Sequence, residues 1–307
     1  LAALAVLGAL CFSCRARERD GYSGWAGLLL AVGLWAKEQA VVLPGMVFAL
    51  DWYLHWTGRL ARWPMAEYAL YALVIGVWLV VRWQVLSGFA VPDISGLDNP
   101  LAAMHAPLRI MNAGVIAWRY LLLLVMPYRL SADYSHAALP VADAYFSSAL
   151  FIAAALVLIV ISVLYRFGRK PSLCSLGSVW MLVTFSLVAN VVAPIGTIMA
   201  ERLLYLPSLG FCLLTATLLL KVWDIGQPRL CLLACTMTLL CFIGRTWVRN
   251  TDWRDSETLF RSAVVAYPKS AKAHQGLGEA LKKRGDCIGA LDEYALALAR
   301  YPNYAAA

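Results

Sequence analysis

Apolar runs recur along this chain at about the thickness of a bilayer, and that recurrence limits its fold more than any single residue does. The runs are Leu1–Cys14, Gly21–Ala36, Ala40–His55, Tyr68–Leu86, Ile110–Met126, Phe146–Tyr165, Leu176–Ile195, Leu203–Lys221 and Leu230–Trp247. A helix rises about 1.5 Å per residue, so about 20 apolar residues cross the hydrocarbon. Inside lipid every backbone N–H and C=O must be bonded within the protein, which leaves helices as the way such runs can cross. With 62% hydrophobic and only 14% charged residues, and a mean hydropathy of +0.69, the chain is expected to be an all-α, polytopic membrane bundle.

The net charge of +8 does not indicate nucleic acid as a partner, because the basic residues fall in short clusters between apolar runs and form no contiguous face. Cys11, Cys14, Cys174, Cys212, Cys231, Cys235 and Cys241 lie in or beside apolar runs and read as free thiols packed as small hydrophobes. Cys11 and Cys14 have the spacing of a redox or metal pair but no second pair or nearby histidine, so no metal site is expected. Several aromatic residues near run ends, among them Trp25, Trp56, Trp63 and Trp223, fit an interfacial belt. The chain opens inside a hydrophobic run without a methionine or a basic leader region. It stops where another helix would begin, and is expected to be a piece of a longer protein.

Basic clusters set the expected orientation. Arg15, Arg17 and Arg19, then Arg59 and Arg62, are assigned to the cytoplasmic side. The polar tip Lys37-Glu38-Gln39 then faces the other side, as does the loop at 87–145. The run Ile110–Met126, interrupted by Asn112, Gly114 and Arg119, decides the count. If it crosses, Arg166, Arg169, Lys170, Lys221 and Arg229 fall outside; read as re-entrant or interfacial, it leaves them all inside, with about eight crossings. On that reading Lys37, Glu38, Asp98, Asp133, Glu201, Arg202 and everything after Asn250 share the non-cytoplasmic face.

Glu201 and Arg202 stand at the mouth of the run Leu203–Leu220, where charges must sit at an interface or face a cavity. Two readings are open: a functional ion pair, or an arginine snorkelling to the headgroups with its neighbour neutralising it.

Two domains are expected, a membrane domain at 1–249 and a repeat region at 250–307. Past Asn250 the composition turns charged and alanine-rich. His274, Leu277, Gly278, Leu281, Ala290, Tyr294, Ala297 and Pro302 fall at tetratricopeptide-repeat spacings, and Phe260, Ala263 and Pro268 precede their equivalents by the same period of about 34 residues. This gives half a repeat at 253–268 and one full repeat at 271–304, the start of an α-solenoid. Lys272, Gln275, Glu279, Lys282 and Lys283 lie on the first helix, where repeats build their groove. They are candidates for binding an extended or acidic polypeptide, or an ordinary solvated face.

Four segments then carry a family resemblance in one order: AKEQAVVLPGMVFALDWYL, the stretch from LDNP at 97–100 through RLSADYSHAALP at 129–140, IMAERLLYLPSLGFCLL, and RNTDWRDSETLFRSAVVAYPKSAKAH. From about residue 20 to the end, the chain resembles the transmembrane and tetratricopeptide-repeat-containing (TMTC) family. The resemblance implies a C-type glycosyltransferase fold in the endoplasmic reticulum membrane, multi-pass, with luminal repeats. It further implies a protein O-mannosyltransferase that takes mannose from the lipid donor dolichyl phosphate mannose and places it on serine or threonine hydroxyls of cadherin-like acceptors. Whether a divalent metal takes part is left open.

Such a reaction needs a carboxylate to accept the hydroxyl proton and a cation to stabilise the departing lipid phosphate. Arg202 is the first candidate for the phosphate and Lys37 the second, with Tyr205 one turn further along the same helix face. Glu201 could hold Arg202 or contact the sugar; Glu38 and Asp98 are further acidic candidates. Asp133 is a candidate base and equally a turn-former in Asp133-Tyr134-Ser135. In the resembled superfamily the principal acidic residue sits in an earlier luminal loop, so the main base is expected upstream of Leu1. A membrane-anchored scaffold that gathers luminal proteins through its repeats, and a polyprenyl-phosphate-sugar transporter, are the alternatives.

Overall fold

The computed structural model describes residues 1–19, 21–86, 94–136, 138–142, 148–191 and 193–302. Among them the chain is helical throughout, without strands. In order come α1 (Ala2–Arg17), α2 (Gly24–Ala36), α3 (Leu43–Trp56), α4 (Met65–Val85), α5 (Ala106–Val125) and α6 (Ser148–Arg169). Then follow α7 (Leu173–Ser186), α8 (Tyr205–Asp224), α9 (Pro228–Asp252), α10 (Ser256–Ala266), α11 (Ala271–Arg284) and α12 (Cys287–Arg300). Among the described residues, five helical stretches are long and apolar enough to cross a membrane: Met65–Val85, Ala106–Val125, Ser148–Arg169, Glu201–Asp224 and Pro228–Asp252. The chain is a multi-pass membrane protein.

Two expected segments differ: the re-entrant or interfacial run 110–126 and the span 176–195. The run 110–126 is one uninterrupted helix of 20 residues, α5, about 30 Å long. Asn112 does not break it, because its side chain bonds back to Leu108 O (3.0 Å) and clamps the returning chain at Ala142 through both N–H and C=O (2.8 and 2.9 Å). Its length therefore no longer argues against a crossing. The run 176–195, by contrast, is helical only to Ser186. Beyond it Asn190 takes a left-handed φ of 58°. The Asn190 side chain accepts from Ile195 N (2.9 Å) and donates to Ile198 O (3.2 Å), tying the following segment into a loop.

The chain forms two compact units, with boundaries inside α6 and α8. The first comprises residues 1–93, 157–188 and 205–218. Val6, Leu30, Leu43, Met46 and Tyr71 are fully buried in its core. α7 and α8 touch backbone to backbone: a Cβ on Gly177 would lie 2.8 Å from Gly210 O, and one on Gly210 would run into Gly177 O. Small residues permit such close crossings where lipid supplies no hydrophobic drive between helices.

Arg17, assigned from its sequence to a solvated basic cluster, is in fact buried in this unit. It forms a bidentate pair with Asp51 (2.7 and 2.9 Å) and a third bond to Glu67 (2.8 Å), with both carboxylates fully buried. Tyr68 donates to Asp51 (2.6 Å); Ser13, Tyr71 and Ser23 N donate to Glu67 (2.6, 2.5 and 3.0 Å). Every partner is charged or hydrogen-bonded, which is what lets three charges stay out of water.

The second unit comprises residues 94–156, 189–204 and 219–307, so α10–α12 pack with the 94–142 segment. Asn99 is buried and donates to Asn190 Oδ1 (2.8 Å) and Ile195 O (2.7 Å) while capping the turn at Leu101 N (3.1 Å). Asp255, Ser270 and Asp286 cap α10, α11 and α12 by accepting from Thr258, Ala273 and Gly289 N. Gly285 ends α11 with φ 91°, a conformation that favours glycine. Gly278 lies under the Tyr294 ring, where a Cβ would come within 2.7 Å, and Gly276 lies under Phe260. Ala263, Ala290 and Ala297 are buried between the helices.

Candidate functional site

The expected Glu201–Arg202 ion pair is not formed. Glu201–Leu204 is a 3-10 turn, and Glu201 faces the 131–134 loop, where its Oε1 accepts from Ser131 N (2.8 Å) and the Tyr134 hydroxyl (2.7 Å). Adjacent residues on a 3-10 turn point about 120° apart, so the carboxylate that meets the loop takes no part with its neighbour. Burial and the nearby Glu201 carboxylate push the Tyr134 phenol well above its ordinary range, so it remains a donor. Arg202 is exposed and, among the described residues, makes no ion pair. The preceding Ala200 is fixed by the buried Tyr120, whose hydroxyl accepts from Ala200 N (2.8 Å).

Asp133 occupies the same loop as a turn anchor. Its Oδ2 accepts from Ser135 N (3.0 Å), Ser135 Oγ (2.5 Å) and Ser270 Oγ (3.0 Å). Ser270 is the N-cap of α11, so Asp133 places a carboxylate at the positive end of that helix. Asp98 is paired with Lys272 from α11, which removes Lys272 from a free groove. Gln275 bonds Glu279 on its own helix, while Lys282 and Lys283 are exposed.

The first unit holds the other candidates. Lys37 and Glu38 lie between α2 and α3, and Glu38 pairs with Arg82 (3.2 Å), whose guanidinium stacks over Trp78 at 5.3 Å. These residues, with Trp35, border a hollow of about 260 Å³. Tyr205 opens α8 and is 65% exposed.

A constellation missed from sequence is a basic cavity of about 680 Å³ in the second unit. Its basic lining comes from separate segments: Arg119 on α5, Arg129 and His136 in the loop after α5, and Lys269 in the α10–α11 turn. Tyr267 lies in the same lining, and its ring meets Tyr134 edge-on at 5.3 Å. Burial raises the Tyr267 phenol, against the opposing fields of Arg119 and Arg129. No carboxylate lines the cavity among the described residues. Three cations separated by up to 150 positions carry no spacing signal, so nothing in the sequence pattern marks them.

The turn that carries Lys269 is held from behind. His274 Nε2 meets Pro268 O at 3.0 Å and its Nδ1 meets Glu293 at 2.6 Å.

Comparison with known proteins places this geometry. The family described as Protein O-mannosyl-transferase TMTC, DUF1736, matches residues 88–161, the stretch that contains α5, Asp133 and most of the cavity wall. Protein O-mannosyl-transferase F38B6.6 of Caenorhabditis elegans is 28% identical over 279 residues, 90% of this chain and 39% of that protein. Protein O-mannosyl-transferase Tmtc3 of Drosophila melanogaster is 30% identical over 67% of this chain and 23% of its own length. Human Protein O-mannosyl-transferase TMTC4 is 30% identical over 70% of this chain and 30% of its own length. The chain thus spans well under half of these relatives. No solved structure matches.

Proposed function

The chain belongs to the TMTC family, and on that premise we propose that it is the membrane and first repeat portion of a protein O-mannosyltransferase. The donor is dolichyl phosphate mannose, and the acceptors are serine or threonine hydroxyls of secretory-pathway proteins, with cadherin-like domains among them. The protein resides in the endoplasmic reticulum membrane with the segments flanking α5 (94–105 and 126–142) and α10–α12 in the lumen, and α5 itself re-entrant or along the luminal interface. α10–α12 are the beginning of a tetratricopeptide solenoid.

The observation that carries this reading is the separation of Glu201 from Arg202. With its neighbour's carboxylate committed to Ser131 and Tyr134, Arg202 is an exposed cation at the start of a spanning stretch, where a lipid phosphate arrives. In the reaction the acceptor oxygen bonds to the sugar C1, the bond from C1 to the phosphate oxygen breaks, and a carboxylate takes the hydroxyl proton. Arg202 stabilises the charge that develops on the phosphate. Asp133 and Glu201 each spend one oxygen on loop donors, which suits them to orient the loop and leaves the second oxygen for the proton or the sugar.

The test uses the full-length protein in microsomes with labelled dolichyl phosphate mannose and a cadherin-like acceptor, wild type against Arg202→Ala at matched abundance. Transfer by wild type and a loss of about 100-fold or more in the variant is expected, the scale of removing one charge-stabilising donor. Should wild type transfer nothing while its repeats still capture luminal proteins, the non-enzymatic scaffold takes its place.

A further inference from the structure

We infer that the basic cavity of the second unit is a docking site for an acidic, extended segment of the polypeptide acceptor. This rests on the reading above that the acceptor is a protein. It moves acceptor recognition from the exposed face of α11 to the turn before that helix.

Three features of the cavity favour a peptide, beyond the cations that α5, the loop after it and the α10–α11 turn contribute. Its lining also includes Pro100, Met104, Pro140 and Val141, apolar walls suited to the backbone and uncharged side chains of an extended chain. A volume of about 680 Å³ is within the range of sites that take ligands far larger than a single phosphate. Finally, the adjoining helix N-terminus, the usual backbone cradle for a phosphate, already receives Asp133 through Ser270. What remains for recognition is the guanidinium forks of Arg119 and Arg129 together with Lys269, which pair readily with carboxylates.

The cavity is also tied to the rest of the site. Tyr267 in its wall touches Tyr134, and Tyr134 donates to Glu201. A peptide seated there lies one aromatic contact away from the loop that holds Glu201 and Asp133.

The experiment uses the full-length protein in nanodiscs with two fluorescent threonine peptides identical except that one carries a run of aspartate and glutamate and the other asparagine and glutamine. The acidic peptide is expected to bind about tenfold more tightly or better, the preference falling with salt. Arg129→Gln with Lys269→Gln, both exposed positions, is expected to remove that preference and raise the peptide KM while the donor KM stays as in wild type. Equal binding of the two peptides by wild type overturns the proposal. So does a preference that survives both substitutions, or a rise confined to the donor KM, which makes the cavity a lipid-phosphate site. A change in unfolding temperature identifies a variant damaged in folding, in which case inorganic phosphate and a soluble polyglutamate are compared as competitors of the acidic peptide on wild type. Polyglutamate is expected to displace the peptide at lower charge concentration, and phosphate doing so first overturns the docking site. Acidic-peptide binding without any mannose transfer keeps the cavity and removes the enzyme reading; transfer with indifferent peptides does the reverse.

Discussion

Arg17 shows how far a residue's role can differ from its neighbourhood in sequence. Beside Arg15 and Arg19 it reads as one of a solvated trio, yet its partners lie 34 and 50 positions downstream, beyond what local pattern reveals. Arg17→Ala leaves two buried carboxylates without their cation and is expected to destabilise the first unit by about 3–5 kcal/mol, measured as thermal or denaturant unfolding in detergent. Replacing all three groups with apolar residues of similar volume is expected to recover most of that loss. At Asp255 the Thr258 backbone N–H, and then its hydroxyl, hold the carboxyl below its ordinary range. A depressed folded value means the cap's contribution is complete above the unfolded carboxylate value of about 4 and lost as pH falls through the lower folded one. Protection of the first α10 amides, as the intrinsic exchange rate at each pH divided by the observed rate, is therefore expected to fall in that acid range and to be flat between pH 6 and 8.

Among the elements, α4, α6, α8 and α9 were legible from their apolar runs, because length and hydropathy alone define them. α7 was overestimated, since nothing in its composition announces that Asn190 will tie off the chain after Ser186. α5 was underestimated because an asparagine and a glycine inside an apolar run look like interruptions. Both are contacts instead: Asn112 clamps Ala142, and Gly114 admits Ala153 of α6 to within 2.9 Å of where a Cβ would stand. The α7–α8 crossing gives a direct test of such contacts. Gly210→Leu would drive a side chain into the Gly177 carbonyl, and a loss of about 1–3 kcal/mol in thermal stability is expected, with α7 the first segment to become protease-sensitive.

At the scale of the whole molecule, the helical membrane character and the family were legible because both are distributed along the chain. The cavity, the Asp133–Ser270 bond and the Asp98–Lys272 pair were not, because each joins segments that only folding brings together. The proposed sidedness can be checked by building glycosylation acceptors into a chain that has no N-x-Ser/Thr sequence of its own. An acceptor introduced at Lys269 is expected to be glycosylated in microsomes, and one at Gly58 is expected to stay unmodified. The reverse pattern would turn the molecule over.

The Arg17 cluster also sets an order of events during synthesis. Ribosomes add roughly 5–20 residues per second, so Glu67 follows Arg17 by about 3–10 s. Through that interval the Arg17 cation lacks at least one of its two carboxylate partners. The packing of α1 seen in the first unit is therefore completed only after α3 and α4 have been made and deliver Asp51 and Glu67.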